Sequence, residues 1–263
     1  MSEWTIDDIV AIARRAGAAI MAIYAQDFAV EAKADASPLT AADMASHRII
    51  CDGLAALTPE VPILSEESKA TDWELRRHWQ RYWLVDPLDG TREFVKKNGE
   101  FTVNIALIEE GVSVLGVVYA PALDYLVHGE RGVGAFVRDG EREIELTTQR
   151  PPPSPLRVAA SRSHLDARTA AALEKMGPTD RIGMGSSLKF GRIAEGRIDV
   201  YPRFGPTSEW DTAAAQCVLE AAGGVVLTLD GQPLRYNTKD SLLNPDFIAL
   251  GDASLAWRNW LDG

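Results

Sequence analysis

Two aspartates stand three residues apart in the segment WLVDPLDGTREF, which begins at Trp83. Asp86 follows an apolar stretch that is typical of a strand, and Pro87 beside it removes a backbone donor and stiffens the chain. Asp89 precedes Gly90, a residue that permits backbone conformations which other residues resist. The spacing therefore predicts two carboxylates that point into one small volume at the end of a strand.

Oxygen atoms grouped in this way suit a hard cation such as Mg²⁺, which takes oxygen ligands in octahedral geometry at about 2.0 to 2.1 Å. The backbone carbonyl of Leu88, between the two carboxylates, could join the set, and Thr91 offers a hydroxyl that could orient an attacking water. The simpler alternative is a turn without chemistry, because Asp, Pro and Gly are the usual turn residues.

Further acids occur in similar settings. ILSEES ends another apolar strand with Glu66 and Glu67, and EWDTAAAQ places Asp211 at the start of a helix. Each has a simpler alternative: Asp211 could cap its helix, and the two glutamates could be solvated loop charges. Asp43 stands three residues after Thr40, in the arrangement of a capping box that needs no catalysis. Carboxylates packed together repel unless a cation neutralises them, so the recurrence of acids favours a metal site.

The elements that would carry these acids fall into two parts. Up to about residue 150, the pattern predicts helices against a mostly antiparallel sheet: helices at 6–24 and 40–58, strands at 61–64 and 82–85, a hairpin over 101–120 and further short strands to 146. Four prolines between 151 and 155 mark a break in composition. After it, strands alternate with helices, which is typical of an α/β layer: strands at 156–161, 198–201, 225–229 and 247–250, and helices at 166–176, 188–195 and 211–222. The expected subdomains are residues 1–152, α+β in class, and 153–263, α/β in class.

Composition excludes several classes of protein. The 263 residues are 46% hydrophobic and 25% charged, as in an ordinary globular protein. With 27 Lys and Arg against 38 Asp and Glu, the net charge of −11 argues against nucleic acid or an anionic membrane as a partner. No run approaches the roughly 18 uninterrupted apolar residues that span a bilayer. Cys51 and Cys217 form no disulfide framework, which favours a reducing cytoplasm, and the four histidines lack zinc-ligand spacing.

The segments SEES, WLVDPLDGTREF and EWDTAAA resemble, in order and spacing, the three metal-binding motifs of the inositol monophosphatase superfamily of Mg²⁺-dependent, lithium-sensitive phosphatases. Three motifs in order are far more specific than any one of them. The resemblance implies a layered αβαβα sugar-phosphatase-like fold, an active site between two subdomains, and two or three Mg²⁺ ions as cofactor. It also implies a set of metal ligands: Glu66, Asp86, the Leu88 carbonyl, Asp89 and Asp211.

The same resemblance assigns catalytic roles. Thr91, with Glu66, would orient and help to deprotonate the attacking water, and Asp43 would belong to the activating hydrogen-bond network. Gly90 and Thr91 would present backbone N–H groups to the phosphate at a helix start, where the helix dipole favours an anion. Two metals about 3.5 to 4 Å apart could activate the water and stabilise the departing oxygen, without a covalent phospho-enzyme.

Other segments, among them KADASPLTAAD, SRSH, GSSLKF and YPRFGPTSEWDTAAA, resemble the bacterial 3'(2'),5'-bisphosphate nucleotidases of that superfamily. Inositol monophosphatases usually carry a glutamate shortly before Trp-Asp, whereas Arg203 stands there in this chain, and a cation suits a second phosphate. The implied substrate-binding residues are Glu66, Leu88, Asp89, Gly90, Thr91, Ser161, Arg162, His164, Ser186, Lys189, Arg203 and Asp211. The simpler alternatives are a surface ion pair for Arg203, packing or solubility for Arg162 and Lys189, and a helix start for His164.

The resemblance therefore implies hydrolysis of 3'-phosphoadenosine 5'-phosphate to AMP and phosphate, with 3'-phosphoadenylyl sulfate as a further substrate and a link to sulfur assimilation. Two alternatives stay open: an inositol or sugar phosphatase of the same superfamily, and a sensor that binds Mg²⁺ and nucleotide without turnover. Intact Glu66, Thr91 and Asp211 argue against the sensor. Monomer and homodimer are both open, as are a cytoplasmic location and peripheral association with the cytoplasmic face of the inner membrane.

Overall fold

The computed structural model describes residues 4–26, 38–68, 71–140, 142–160 and 167–261. Its elements in chain order are α1 (Ile6–Tyr24), α2 (Pro38–Leu57), β1 (Ile63–Ser65), α3 (Trp73–Arg76), β2 (Arg81–Asp89), α4 (Thr91–Val95), β3 (Thr102–Glu109), β4 (Val112–Ala120), β5 (Tyr125–Glu130), β6 (Gly134–Asp139), β7 (Arg142–Glu145), β8 (Leu156–Ala160), α5 (Ala167–Met176), β9 (Thr179–Gly183), α6 (Leu188–Ala194), β10 (Val200–Arg203), α7 (Glu209–Ala221), β11 (Val225–Thr228) and β12 (Phe247–Leu250). Short 3-10 helices lie at Pro121–Leu123 and Trp257–Trp260.

Two sheets organise these elements. Strands β1 to β7 form a seven-stranded sheet in chain order, with β1 parallel to β2 and the other neighbours antiparallel. The second sheet has five strands in the order β11-β12-β10-β8-β9. Helices α1 and α2 cover the outer face of the first sheet, α6 and α7 lie between the sheets, and α5 with the last 3-10 helix covers the second sheet. The predicted αβαβα layering is confirmed.

Helix α7 packs unusually close to the first sheet because two glycines of that sheet face it. A Cβ atom at Gly116 would lie 2.1 Å from the carbonyl oxygen of Ala214, and one at Gly129 would lie 2.8 Å from the Cα of Val218. A helix from the second part of the chain therefore belongs to the core of the first part. The division between residues 152 and 153 stays a prediction.

Among the predicted boundaries that were wrong, three concern elements that carry predicted acidic site residues, and β1 and β10 also begin two residues later than predicted. Helix α2 includes Pro38, so Thr40 lies inside the helix and is not the cap of a capping box with Asp43. Strand β2 runs on to Asp89, because Asp86 pairs with Asn104 of β3 and pairing resumes at Asp89 after an irregularity.

Helix α7 begins at Glu209, two residues earlier than predicted, with Ser208 as its N-cap residue. The helix α3 and the strand β9, whose residues are mostly exposed or half-buried, were not predicted. Within the described ranges, none of the helices has the length and apolar character needed to cross a bilayer.

Candidate active site

Three carboxylates meet where β2 ends and α7 begins. Asp86 and Asp89 belong to β2, and Asp211 lies in the first turn of α7. One oxygen of each lies within 4.8 Å of the others. The two halves of the chain therefore contribute to one acidic cluster, as the sequence predicted.

Asp89 is fixed by hydrogen bonds that the sequence prediction missed. Its Oδ2 atom accepts the backbone N–H of Ser187 at 2.7 Å and the Ser187 hydroxyl at 2.9 Å, with Thr102 Oγ1 at 3.4 Å. The Asn104 amide donates to the Ser187 hydroxyl at 2.9 Å. The polar Thr102 and Asn104 interrupt an otherwise apolar strand, FTVNIAL, and that interruption is the feature from which their role could have been found.

Asp211 is both a helix cap and a member of the cluster. Its Oδ2 atom accepts the backbone N–H of Ser208 at 2.9 Å, which closes a capping box at the start of α7. The Ser187 hydroxyl also lies 2.6 Å from the backbone carbonyl oxygen of Asp211. The capping alternative is therefore correct as local structure, and the cap also holds the carboxylate beside Asp89.

The electrostatics of the cluster suit a cation. Burial, followed by the charges of Asp89 and Glu66, raises the pKa of Asp86 well above its ordinary value. Burial and then the charge of Asp89 raise the pKa of Asp211 to about 7. Burial also raises the pKa of Asp89, although Lys189 opposes this shift. Buried carboxylates in this arrangement bind protons or a metal ion, and an all-oxygen set of ligands is what Mg²⁺ prefers.

Two further acids approach from other elements. Glu66 follows β1, its N–H donates to the Val85 carbonyl at 3.1 Å, and its exposed side chain lies within hydrogen-bonding reach of Asp86. Asp43 lies on α2, is only 7% exposed, and has no partner for its Oδ1 atom among the described residues. Burial, followed by the charges of Glu67 and Glu66, raises the pKa of Asp43 to about 8. Acids from α2, β1, β2 and α7 thus converge on one region.

The residues from Leu88 to Thr91 join the end of β2 to α4. The Leu88 side chain is only 1% exposed, and its N–H donates to Asp86 Oδ1 at 3.0 Å. Gly90 has a φ of 92°, in the left-handed region that favours glycine, and serves as the N-cap of α4. Thr91 is the exposed first residue of that helix.

A cleft of about 550 Å³ opens on the cluster. Among the residues that line it are seven that the sequence predicted for substrate binding: Asp89, Gly90, Thr91, Ser186, Lys189, Arg203 and Asp211. Tyr201, which the sequence prediction missed, lines it too. Ser161, Arg162 and His164 lie outside the described residues.

Two cations face this cleft. Lys189 is 7% exposed, its ammonium lies 5.1 Å from the centre of the Tyr201 ring, and burial lowers its pKa to about 8. Arg203 donates from Nη2 to the Pro206 carbonyl at 3.0 Å, and its buried Nε has no partner among the described residues. Since Lys189 is buried, solubility does not explain it. Arg203 forms no ion pair with another residue of the described part of the chain, and its role stays a prediction.

The fold and this acidic cleft define a class: the chain belongs to the inositol monophosphatase family, whose sequence profile matches residues 2–259. It is 51% identical over 245 residues to the 3'(2'),5'-bisphosphate nucleotidase CysQ of Escherichia coli strain K12, covering 92% of this chain and 98% of that protein. It is 35% identical over 261 residues to the CysQ of Haemophilus influenzae, covering 98% of this chain and 97% of that protein. Among solved structures, CysQ from Bacteroides thetaiotaomicron superposes with a TM-score of 0.83 at 40% identity, covering 92% of this chain and 95% of that one.

Proposed function

We propose that the protein is a Mg²⁺-dependent 3'(2'),5'-bisphosphate nucleotidase that hydrolyses 3'-phosphoadenosine 5'-phosphate to AMP and phosphate, and that it also accepts 3'-phosphoadenylyl sulfate. Relatives that cover most of the chain carry the name of that activity. The observation that carries the proposal is that one cleft is lined both by carboxylates of the acidic cluster, Asp89 and Asp211, and by the cations Lys189 and Arg203.

Carboxylates and cations in the same cleft match a substrate with two phosphates. The phosphate to be removed needs metal ions, because the carboxylates alone would repel it. The second phosphate has no metal and needs a cation from the protein, which a buried lysine and an arginine supply in a chain of net charge −11. Ser186, and the predicted contacts Ser161, Arg162 and His164, would bind the rest of the nucleotide.

The proposed metal ligands are Glu66, Asp86, the Leu88 carbonyl, Asp89 and Asp211, holding two or three Mg²⁺ ions. When bound, Mg²⁺ lowers the pKa of a water and stabilises charge on the phosphoryl and departing oxygens. The cluster's raised pKa values support this assignment, since a cation would relieve the repulsion that causes part of them.

Thr91 and Glu66 orient the attacking water in this proposal. Thr91 is exposed at the start of α4 and lines the cleft, where its hydroxyl can accept a hydrogen bond from that water. Asp43 lies close enough to Glu66 and Glu67 for their charges to raise its pKa, and a pKa of about 8 allows it to hold or release a proton near neutral pH. Gly90 and Thr91 offer their N–H groups to the phosphate.

The test compares phosphate release from 3'-phosphoadenosine 5'-phosphate, inositol 1-phosphate and fructose 1,6-bisphosphate, with Mg²⁺ and with added lithium. We expect a preference for the nucleotide and inhibition by lithium. Preference for either of the other esters refutes the nucleotidase assignment, and the absence of turnover on all three substrates refutes the proposal that the protein is an enzyme.

Substitution of Arg203 tests the proposed contact to the second phosphate. Arg203→Met should raise KM for the nucleoside bisphosphate at least about tenfold, because a charged contact to the second phosphate is lost. Arg181→Met, at an exposed arginine of β9, is the matched control. Equal KM values in the two variants would show that Arg203 does not bind substrate.

We infer that this activity serves sulfur assimilation in the cytoplasm. The two cysteines are free, as a reducing compartment would leave them. Peripheral association with the inner membrane, and the choice between monomer and homodimer, stay predictions.

A further inference from the structure

The turn formed by Met184, Gly185 and Ser186 makes one wall of the active-site cleft, and Glu100 binds its backbone. The N–H of Gly185 donates to Glu100 Oε2 at 2.8 Å. A Cβ atom at Gly185 would lie 2.5 Å from the Cγ of Glu93 and 2.9 Å from the carbonyl oxygen of Glu100. The turn therefore rests directly on the segment that follows the metal motif.

Lys189 holds the same turn through its carbonyl groups. Its ammonium donates to the carbonyl of Ser186 at 2.7 Å and to that of Met184 at 3.2 Å. Ser186 has a φ of 43°, in the left-handed region that a residue with a side chain seldom adopts. Such a conformation persists where its surroundings fix it, and here the surroundings are a carboxylate on the N–H of Gly185 and an ammonium on the carbonyls.

The turn positions groups on both sides of the cleft. The Ser186 hydroxyl is buried, borders the cleft and has no partner among the described residues. The next residue, Ser187, fixes Asp89 through its N–H and its hydroxyl. Ser187 is also held by the Asn104 amide and lies against the Asp211 carbonyl, so a shift of the turn should move Ser186 while the support of Asp89 persists.

Charge adds to this geometry. The ammonium of Lys189 is attracted by Asp89, Glu93 and Glu100 and repelled by Arg203. Glu100 thus acts on Lys189 twice, through the turn that both residues hold and through its negative charge. Glu100 is not among the described residues that line the cleft, so its influence on a ligand is indirect.

We propose that Glu100 is a positioning residue that sets the affinity of the cleft for a nucleoside bisphosphate, by holding the Gly185 N–H and, through it, Ser186 and Lys189. This inference rests on the proposed function. Because Glu100 touches neither substrate nor metal, its loss should weaken substrate binding more than it slows the chemical step.

The experiment separates the hydrogen bond from the charge. Glu100→Gln keeps an oxygen that can accept the Gly185 N–H, whereas Glu100→Ala removes both the acceptor and the charge. With 3'-phosphoadenosine 5'-phosphate as substrate, we expect Glu100→Ala to raise KM about tenfold and to change kcat less than about twofold. The reason is that the lost hydrogen bond, which has a charged acceptor, supports substrate binding. Glu100→Gln should recover most of this loss. Glu60→Ala, at an exposed glutamate before β1, is the matched control.

The outcomes distinguish this inference from the proposed function. If the wild-type protein hydrolyses the nucleotide and Glu100→Ala has the KM of Glu60→Ala, the inference on Glu100 is overturned and the nucleotidase assignment stands. A fall in Tm and kcat with KM unchanged would also overturn it, since that pattern marks a purely structural role. A wild-type protein without turnover on the nucleotide overturns the proposed function and the inference with it.

Discussion

Replacing Asp89 with asparagine removes one charge from three carboxylates whose oxygens lie within 4.8 Å of one another. Two unit charges at that separation interact by about 3.5 kcal/mol at an effective dielectric constant of about 20, so Asp86 and Asp211 together oppose the Asp89 charge by roughly 7 kcal/mol. Attraction to Lys189, which opposes the raised pKa of Asp89, would offset about 3.5 kcal/mol of this at a similar separation, and weaker hydrogen bonds from Ser187 would cost about 1.5 to 3 kcal/mol. We therefore expect metal-free Asp89→Asn to be more stable than wild type by about 0.5 to 2 kcal/mol at about pH 8.

The assay is urea unfolding in EDTA at about pH 8, with turnover measured separately in Mg²⁺. Turnover of Asp89→Asn should fall at least about 100-fold, because metal ions supply several kcal/mol of transition-state stabilisation. Asp52→Asn, at an exposed aspartate of α2, is the control and should change neither quantity. If Asp89→Asn lost more than about 3 kcal/mol of stability in EDTA, its hydrogen bonds would outweigh the repulsion, and the argument from charge would be refuted.

Three further perturbations probe the rest of the molecule. The free energy of unfolding of the metal-free protein should fall as pH rises from about 4 through about 7. The pKa of Asp211 is raised from 3.8 to about 7, so the folded state binds this proton more tightly than the unfolded state in that window. Thermal unfolding in EDTA measures the effect, and a stability that rises with pH would contradict it. Arg76→Ala should cost about 3 to 5 kcal/mol in urea unfolding, since it removes a buried guanidinium that donates to Asn237 and to the Lys239 carbonyl and leaves Lys239 as the remaining cation that opposes the raised pKa of the buried Glu209. Adding Glu209→Gln should restore part of the loss if the Glu209 charge is the cause. Gly116→Ala should lower the free energy of unfolding by at least about 2 kcal/mol, because the new Cβ would lie 2.1 Å from a carbonyl oxygen of α7. Gly251→Ala should cost less, because its Cβ would have its nearest neighbour at 3.4 Å, and equal losses of stability in the two variants would contradict the packing argument.

The acids of the site could be predicted from sequence because each belongs to a short local pattern. Asp86 and Asp89 share one strand, Glu66 directly follows another, and Asp211 lies in the first turn of a helix. The groups that hold them could not be predicted in this way. Ser187 bonds to Asp89 across 98 positions of sequence, which no local window contains.

The misplaced helix starts show two local rules in competition. Thr40 and Asp43 have the spacing of a capping box, but Pro38 fits the first turn of a helix and α2 already includes it. At α7 the box is real and lies earlier, with Ser208 as cap and Asp211 as its third helical residue. The strand β9 was missed because its residues are exposed or half-buried and lack the apolar alternation by which a strand is recognised.

The close approach of α7 to Gly116 and Gly129 has a consequence for synthesis of the protein. A ribosome releases β2, with Asp86 and Asp89, long before it releases residues 209–221. Until then, the inner face of the first sheet has no helix to cover it and is open to aggregation or to a chaperone. A nascent chain of that length also lacks Asp211, so the proposed metal site can form only once residues 209–221 have been made.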